Sequence, residues 1–211
     1  MRYPVPDLAL ESRHSESLEV EKSRFIAWIA HTPTPDDLDT LLAAARQEHP
    51  TARHHCTAFI AGPPGEQHAI GFSDDGEPGG TAGRPMFQVL DGSGLGEIGC
   101  VVIRYFGGIK LGTGGLARAY AQTVSNALAT LPTRNVIERD GYRLPLDFAQ
   151  EALARAWCAE HDIPVTAADY DGQGVCLTLA WPRDVAVDAA SLESRLKTSV
   201  TLQAVEANNT A

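Results

Sequence analysis

Several things are missing from this sequence of 211 residues, and each absence excludes a class. No apolar stretch approaches the roughly 20 residues that a membrane-spanning helix needs, so no membrane role is expected. No basic start leads into an apolar run, so no secretory signal is expected. The four cysteines, Cys56, Cys100, Cys158 and Cys176, never fall in a CxxC pair. That argues against a zinc ribbon or a dithiol redox motif, and it suits a reduced cytoplasm with most of the thiols as small core residues. A basic excess is also missing, because the formal net charge is −10. A protein that grips nucleic acid mainly by neutralising many phosphates is normally basic, so a broad phosphate footprint is disfavoured and any polyanion contact has to be local. The charge does not divide by region: 10 basic and 15 acidic residues precede Thr133, and 7 and 12 follow. There is no internal repeat, low-complexity tract or coiled-coil heptad.

What is present is the composition of a folded protein, 44% apolar and 21% charged, long enough for one large domain or two small ones. The first sixteen residues read as a loose, polar start. Leu18–Ile29 reads as one strand. Thr34-Pro35-Asp36-Asp37 is a helix start, with a capping Thr, Pro in the first turn and acids where the helix dipole favours them. Leu38, Leu41, Leu42 and Ala45 continue that helix to about His49. A hairpin follows, His54–Ala61 and His68–Phe72, around Gly62-Pro63-Pro64-Gly65. A short helix over 81–90, interrupted near Pro85, precedes a loop at Asp91–Gly94 and a strand, Gly99–Phe106. A glycine loop, 107–115, leads into an amphipathic helix over 114–131. The break at Leu131-Pro132-Thr133 sets the expected boundary between domains 1–132 and 133–211. The remainder reads strand 135–146, helix 147–161, strands 163–170 and 174–181, helix 184–196 and strand 199–206. That βαββαβ order is a ferredoxin-like split βαβ unit.

The candidate chemistry lies between Ser73 and Tyr120. Glycines after a strand and before a helix let an anion approach free backbone N–H groups, with Lys110 and Arg118 to add charge. The Walker A and GxGxxG spacings are both missing. Arg104 lies inside an apolar strand, on the face shared by Val102 and Phe106, where a charge needs a partner. Asp74, Asp75 and Glu77 are the natural partners, either as an ion-pair network pinning two loops or as half of a composite binding surface. Three acids in four residues are not an EF-hand, and no metal is expected. His54 and Cys56 point to one side of a strand. They are secondary candidates as a Cys–His pair or as two zinc ligands, although no second ligand pair accompanies them. His49 adds a helix-end histidine, and Ser73 lacks a nucleophile-elbow context.

These residues also carry a resemblance. Ser73-Asp74-Asp75-Gly76-Glu77-Pro78 with Gly80-Thr81-Ala82-Gly83, then 102–112 (VIRYFGGIKLG) and 114–120 (GGLARAY), resemble the signature of the IMPACT/YigZ family, also called UPF0029. So do Glu21–Ala27 and His49-Pro50 followed by His54 and Cys56. The likeness spans about residues 17–131, and the rest looks like the smaller C-terminal domain of bacterial members. Gly79 and Gly80 after Pro78, and Met86 at an often aliphatic position, are mild departures. The resemblance implies an α+β protein: a ribosomal-protein-S5-domain-2-like α/β domain, then a ferredoxin-like domain similar to the last domain of elongation factor G. Together with the residues read above, it leads to the expectation of a cytoplasmic, translation-linked binding protein, monomeric or homodimeric and without a cofactor. RNA, the ribosome or a protein of the translation machinery would be the partner, and the surface would be Asp74, Asp75, Glu77, Arg104, Lys110, Gly112, Gly114, Gly115 and Arg118. No counterpart of the extra N-terminal domain of eukaryotic members is expected, so their partner binding is not carried over. The alternative is a nucleotide- or phosphate-using enzyme, because the S5-like fold is shared with GHMP-type small-molecule kinases whose glycine-rich helix start binds ATP.

Overall fold

The computed structural model describes residues 2–9, 11–65 and 69–205. The chain forms two compact units, the first spanning Tyr3–Val136 and the second beginning at Ile137. Its elements in order are β1 (Arg2–Pro6), β2 (His14–Val20), β3 (Ser23–His31), α1 (Pro35–Glu48), β4 (His54–Ile60), β5 (Ile70–Ser73), α2 (Gly83–Gly92), β6 (Ile98–Tyr105) and α3 (Gly112–Ala129). There follow β7 (Thr133–Ile137), β8 (Arg139–Leu146), α4 (Glu151–Glu160), β9 (Val165–Tyr170), β10 (Val175–Pro182), α5 (Ala189–Leu196) and β11 (Gln203–Ala204).

The first unit holds a five-stranded antiparallel sheet in the order β2-β3-β6-β4-β5. Helix α1 covers one face and α2 with α3 the other. The two central strands are therefore buried on both sides, which explains their nearly unbroken apolar sequences. Ile26, Trp28, Val101 and Ile103 pack with Leu38, Leu41 and Ala45 of α1. Phe25, Ala27, Ile29, Cys100 and Val102 pack with Met86 and Leu90 of α2 and Leu116, Tyr120 and Val124 of α3. The start of α1 forms as its residues dictate, with the Thr34 N–H and hydroxyl both donating to Asp37 at 2.9 and 2.7 Å.

The structure changes several local readings. Leu18–Ile29 is not one strand: Glu21 and Lys22 take positive φ (47° and 62°) and turn the chain into the β2–β3 hairpin. The turn carries none of the usual Gly or Asn, so the sequence did not mark it. The N-terminal residues are not loose, because β1 pairs with β7 and β2 begins at His14. Pro85 does not interrupt α2; it lies in the first turn, where a missing N–H costs nothing. Asp91 and Gly92 close that helix rather than starting a loop. Helix α3 starts two residues earlier than expected. The hairpin's second strand begins at Ile70, and His68 lies outside the described residues.

In the second unit the order β8-α4-β9-β10-α5-β11 has its strands arranged β11-β8-β10-β9. Leu144, Leu177 and Leu179 face Ala154, Trp157, Cys158 and Leu192. The expected strand 135–146 is two strands, β7 and β8, divided at Glu138. A 3-10 turn at Phe148–Gln150 precedes α4, α5 starts later than expected at Ala189, and the last strand is only two residues long.

Candidate functional site

Arg104 is the penultimate residue of β6. The strand register sets it between Phe25 on β3 and His54 on β4, on the face covered by α2 and α3. Its Nη1 donates to Glu77 Oε1 at 2.5 Å, and the two side chains are 7% and 2% exposed. The guanidinium carbon lies 5.4 Å from the Phe25 ring and 5.7 Å from the Phe106 ring, so aromatic faces flank the charge. Tyr120 of α3 donates its hydroxyl to the same Glu77 oxygen at 2.8 Å, and Cys56 Sγ lies 3.3 Å from that hydroxyl. Glu77 thus receives two donors and keeps its charge balanced inside the protein. The Arg104 Nε is buried and has no hydrogen-bond partner among the described residues. A guanidinium offers five N–H donors, and this one is short of acceptors.

The loop that delivers Glu77 is held by its other two acids. Asp74 Oδ1 accepts the N–H groups of Ala82 (2.9 Å) and Gly83 (2.8 Å) at the start of α2, and Oδ2 accepts Gly80 N–H at 2.7 Å. Burial alone pushes the Asp74 carboxyl up, but the N–H groups of Gly80, Gly83 and Ala82 together hold it below its ordinary range. Asp75 Oδ2 accepts the backbone N–H of His55 at 2.6 Å, and Arg46 approaches Oδ1 at 3.4 Å. Asp75 and Gly76 have φ of 41° and 84°, a tight turn that swings Glu77 inward. Of the three acids expected to meet Arg104, only Glu77 does; Asp74 and Asp75 build the loop and do not line the site. Among the described residues, no group of three or more His, Cys, Asp or Glu converges as a metal site would.

His54 and Cys56 do share a side of β4, and both bond to the acidic loop. His54 Nδ1 lies 2.8 Å from the Asp75 carbonyl and Cys56 Sγ 3.0 Å from the Asp74 carbonyl. A carbonyl only accepts, so Nδ1 carries a proton, and Nε2 stands 4.0 Å from Glu77 Oε1. Burial pushes the Cys56 thiol up to about 12, and the nearby acids push it the same way. A thiol held protonated is a poor nucleophile, and both side chains bond to the backbone of the acidic loop. His49 lies on the opposite face of the sheet, bonded to Tyr105 at 2.9 Å and edge-on to Trp28. It cannot join His54.

Two concavities open at the corner where β6 gives way to α3. Gly107 makes the corner possible, because a Cβ there would lie 1.9 Å from the backbone of Lys22. The first cavity, of about 360 Å³, has Arg104, His54 and Glu77 in its wall. Arg53 and Lys110 also line it, as do the start of α3 (Leu111, Gly112, Thr113) and the apolar Pro78, Phe106 and Leu116. Leu111 at the helix cap provides no side-chain cap, and the first turn holds no acid, so the α3 N–H groups keep their attraction for an anion. The second concavity, about 700 Å³, lies beside β2 and is lined by Leu18, Val20, Ile109, Gly115, Arg118 and Gln122, among others. Lys110 reaches both. Arg118 and Gly115 belong to the second alone, and the Arg118 side chain lies beside Gly114. Of the expected surface, Glu77, Arg104, Lys110 and Gly112 therefore share a cavity with the secondary candidate His54. Arg53, Thr113, Phe106 and Tyr120 were not singled out. Arg53 left a faint mark, a cation directly before the His54 strand. Tyr120 looked like an ordinary core position of an amphipathic helix.

A buried Arg–Glu–Tyr network beside an uncapped helix start, on a sheet with helices on both faces, defines a mixed α/β protein with a cationic recess. The Impact N-terminal domain family matches residues 21–128. The chain is 43% identical over 189 residues to "IMPACT family member YigZ" of Escherichia coli (strain K12), covering 89% of this chain and 92% of that relative. It is 46% identical over 152 residues to an "IMPACT family member" of Haemophilus influenzae, covering 72% and 74%. A crystal structure described as that of a hypothetical protein superposes with a TM-score of 0.68 at 40% identity, covering 97% of this chain and 98% of that one. The chain belongs to the IMPACT family.

Proposed function

We propose that the protein is a translation-linked binding protein that meets RNA, the ribosome or a translation factor through the corner built by β6, the glycine loop and α3. The observation that carries this reading is Arg104, a buried guanidinium with an unmet N–H, in the wall of a cavity that also presents Arg53, Lys110 and the open start of α3. Such a corner accepts negative charge over a small area. That fits a chain of net charge −10, on which any contact with a polyanion has to be local. Family membership supports the link to translation. Two finer fold readings belong to the same proposal. The first unit is S5-domain-2-like, and the second, with strand order β11-β8-β10-β9, is ferredoxin-like in the manner of the last domain of elongation factor G. The kinase-like alternative has less support, since Asp75, its candidate base, is bonded to the His55 backbone and to Arg46. No helix of the described residues is long and apolar enough to cross a membrane.

Co-sedimentation with ribosomes at several salt concentrations tests the reading. Binding should weaken with salt by about 0.7 log units per log unit for each phosphate engaged on single-stranded RNA. It should be lost on charge reversal at Lys110 and Arg53. Charge reversal at Arg118 should have a smaller effect, because that residue lines the neighbouring groove. Retention unaffected by reversal at Lys110 and Arg53 would remove this corner from the interface.

A further inference from the structure

The cavity's charge count points to one kind of ligand. We propose that it receives the 5′-phosphoryl group of a nucleotide, either free or as the first residue of an RNA strand, with the base against Phe106. This rests on the reading that the corner is the binding surface, and it names the chemistry of that surface.

Glu77 is neutralised by Arg104 and held by Tyr120. Arg53 and Lys110 remain, and among the described residues neither has an ion-pair partner. Two uncancelled cations and the positive end of an 18-residue helix match the charge of a phosphomonoester better than the single charge of an internal phosphodiester. The second, independent sign of a ligand is Arg104 itself. Its side chain is only 7% exposed, it lines the cavity, and its Nε–H is unbonded. The unmet Nε–H lies beneath the cavity surface, so Arg104 meets the cavity with its donors incompletely satisfied by the protein, and an oxyanion against the cavity-facing edge of the guanidinium adds an acceptor to it. The volume, about 360 Å³, is at the small end of small-molecule sites. The cavity also has an apolar side, with Pro78, Leu111, Leu116 and Phe106, a residue 47% exposed. An exposed aromatic ring beside a phosphate-receptive helix start is what an unstacked base needs.

The test uses the full chain and an RNA tetramer labelled at its 3′ end, carrying either a 5′-phosphate or a 5′-hydroxyl, with binding read by fluorescence anisotropy. The phosphorylated strand is expected to bind at least about tenfold tighter, the gain of a charge-assisted contact. Lys110→Gln and Arg53→Gln should shrink that ratio toward one without unfolding the protein, and Phe106→Ala should weaken both strands. Unlabelled adenosine 5′-monophosphate separates the two sources. If it competes as well as the 5′-phosphorylated strand, the natural ligand is a free nucleotide; if it competes poorly while the strand binds, it is an RNA end. Adenosine should not compete. Equal affinity for the two strands, with Lys110→Gln weakening both, would overturn the terminal-phosphate site and leave the corner as a general binding surface. Equal competition by the two tetramers against ribosome co-sedimentation would do the same. No binding of either strand would overturn the terminal-phosphate site, and ribosome co-sedimentation then decides separately whether the corner is a binding surface.

Discussion

The two units of this chain solve the burial problem differently. The second is built around aliphatic and aromatic side chains, Leu144, Leu177, Leu179, Trp157 and Leu192, and among its described residues no charged side chain is buried. The first buries Arg104, Glu77 and His55 together with Ser23, Thr32, Thr57, Thr81 and Thr123. Arg104, His55 and Ser23 lie at one end of the sheet, and Glu77 meets Arg104 there. Neighbouring residues of one strand show the contrast: Ile103 is sealed under α1, while Arg104 faces Glu77 and a cavity. Replacing a buried ion pair with apolar residues is often neutral or stabilising, so stability alone does not account for one. The comparison teaches that the first unit keeps polar groups where an apolar core would serve folding as well. That is where a ligand is to be sought.

The largest expected effect tests whether Arg104 and Glu77 are one unit. Arg104→Met leaves Glu77 buried without its counter-charge and should cost about 3–5 kcal/mol. The double variant Arg104→Met/Glu77→Gln should regain most of that loss in denaturant titration. If the double variant is as unstable as the single one, the pair is not the coupled element described.

A core truncation in the other unit comes next. Leu179 is fully buried, and Leu179→Ala should cost about 2–5 kcal/mol. Ribosome retention by the folded protein should be unchanged. If retention is lost although the variant is folded, the second unit takes part in binding and the contrast fails.

Acid titration should show a smaller, two-step effect confined to the first unit. Burial lowers the pKa of His55 below its ordinary 6.5, against the opposing pull of Asp75. The unfolded chain then takes up a proton that the folded one refuses, so stability falls as pH drops through 6.5 and levels off below the folded value. Asp74 acts lower, since its folded pKa lies below 3.8: its stabilisation is present above 3.8 and lost as pH falls through the folded value. Asp74→Ala should remove that lower step and cost about 1 kcal/mol at neutral pH, as loss of a helix cap does. An unchanged acid limb would show that the loop is held by other means.

The smallest effect is one of reactivity. Cys56 is pushed up to about 12 and Cys158 to about 11 by burial, and Cys100 is raised further. In the native protein a water-soluble thiol reagent should label Cys176, the partly exposed cysteine, well ahead of the other three. Fast labelling of Cys56 would mean that the acidic loop opens.

Much of the architecture was legible because it rests on local rules. The Thr34–Asp37 cap, the period of α1 and α3, the doubly buried strand β6 and the βαββαβ order of the second unit are all written in spacing and capping chemistry. The β2–β3 hairpin was not legible, since Glu21 and Lys22 take left-handed conformations that only strand pairing enforces. β1 was missed because its pairing partner lies more than a hundred residues away. For the site, the sequence marked a stretch and its motif but could not sort the acids. Asp74, Asp75 and Glu77 look alike in one dimension. The turn at Asp75-Gly76 sends the first two to backbone N–H groups and the third into the core.

By itself, then, the sequence determined where chemistry could lie: an acidic loop, a strand carrying one misplaced arginine, and a glycine-rich corner leading into a helix. Composition and periodicity are local, and these features depend on little else. Only the tertiary structure decided which acid meets Arg104, that Arg53 joins Lys110 at the start of α3 while Arg118 turns to a neighbouring groove, and that one guanidinium N–H is left without an acceptor. Those outcomes depend on strand register and loop geometry, which are set by pairing between residues far apart in the chain.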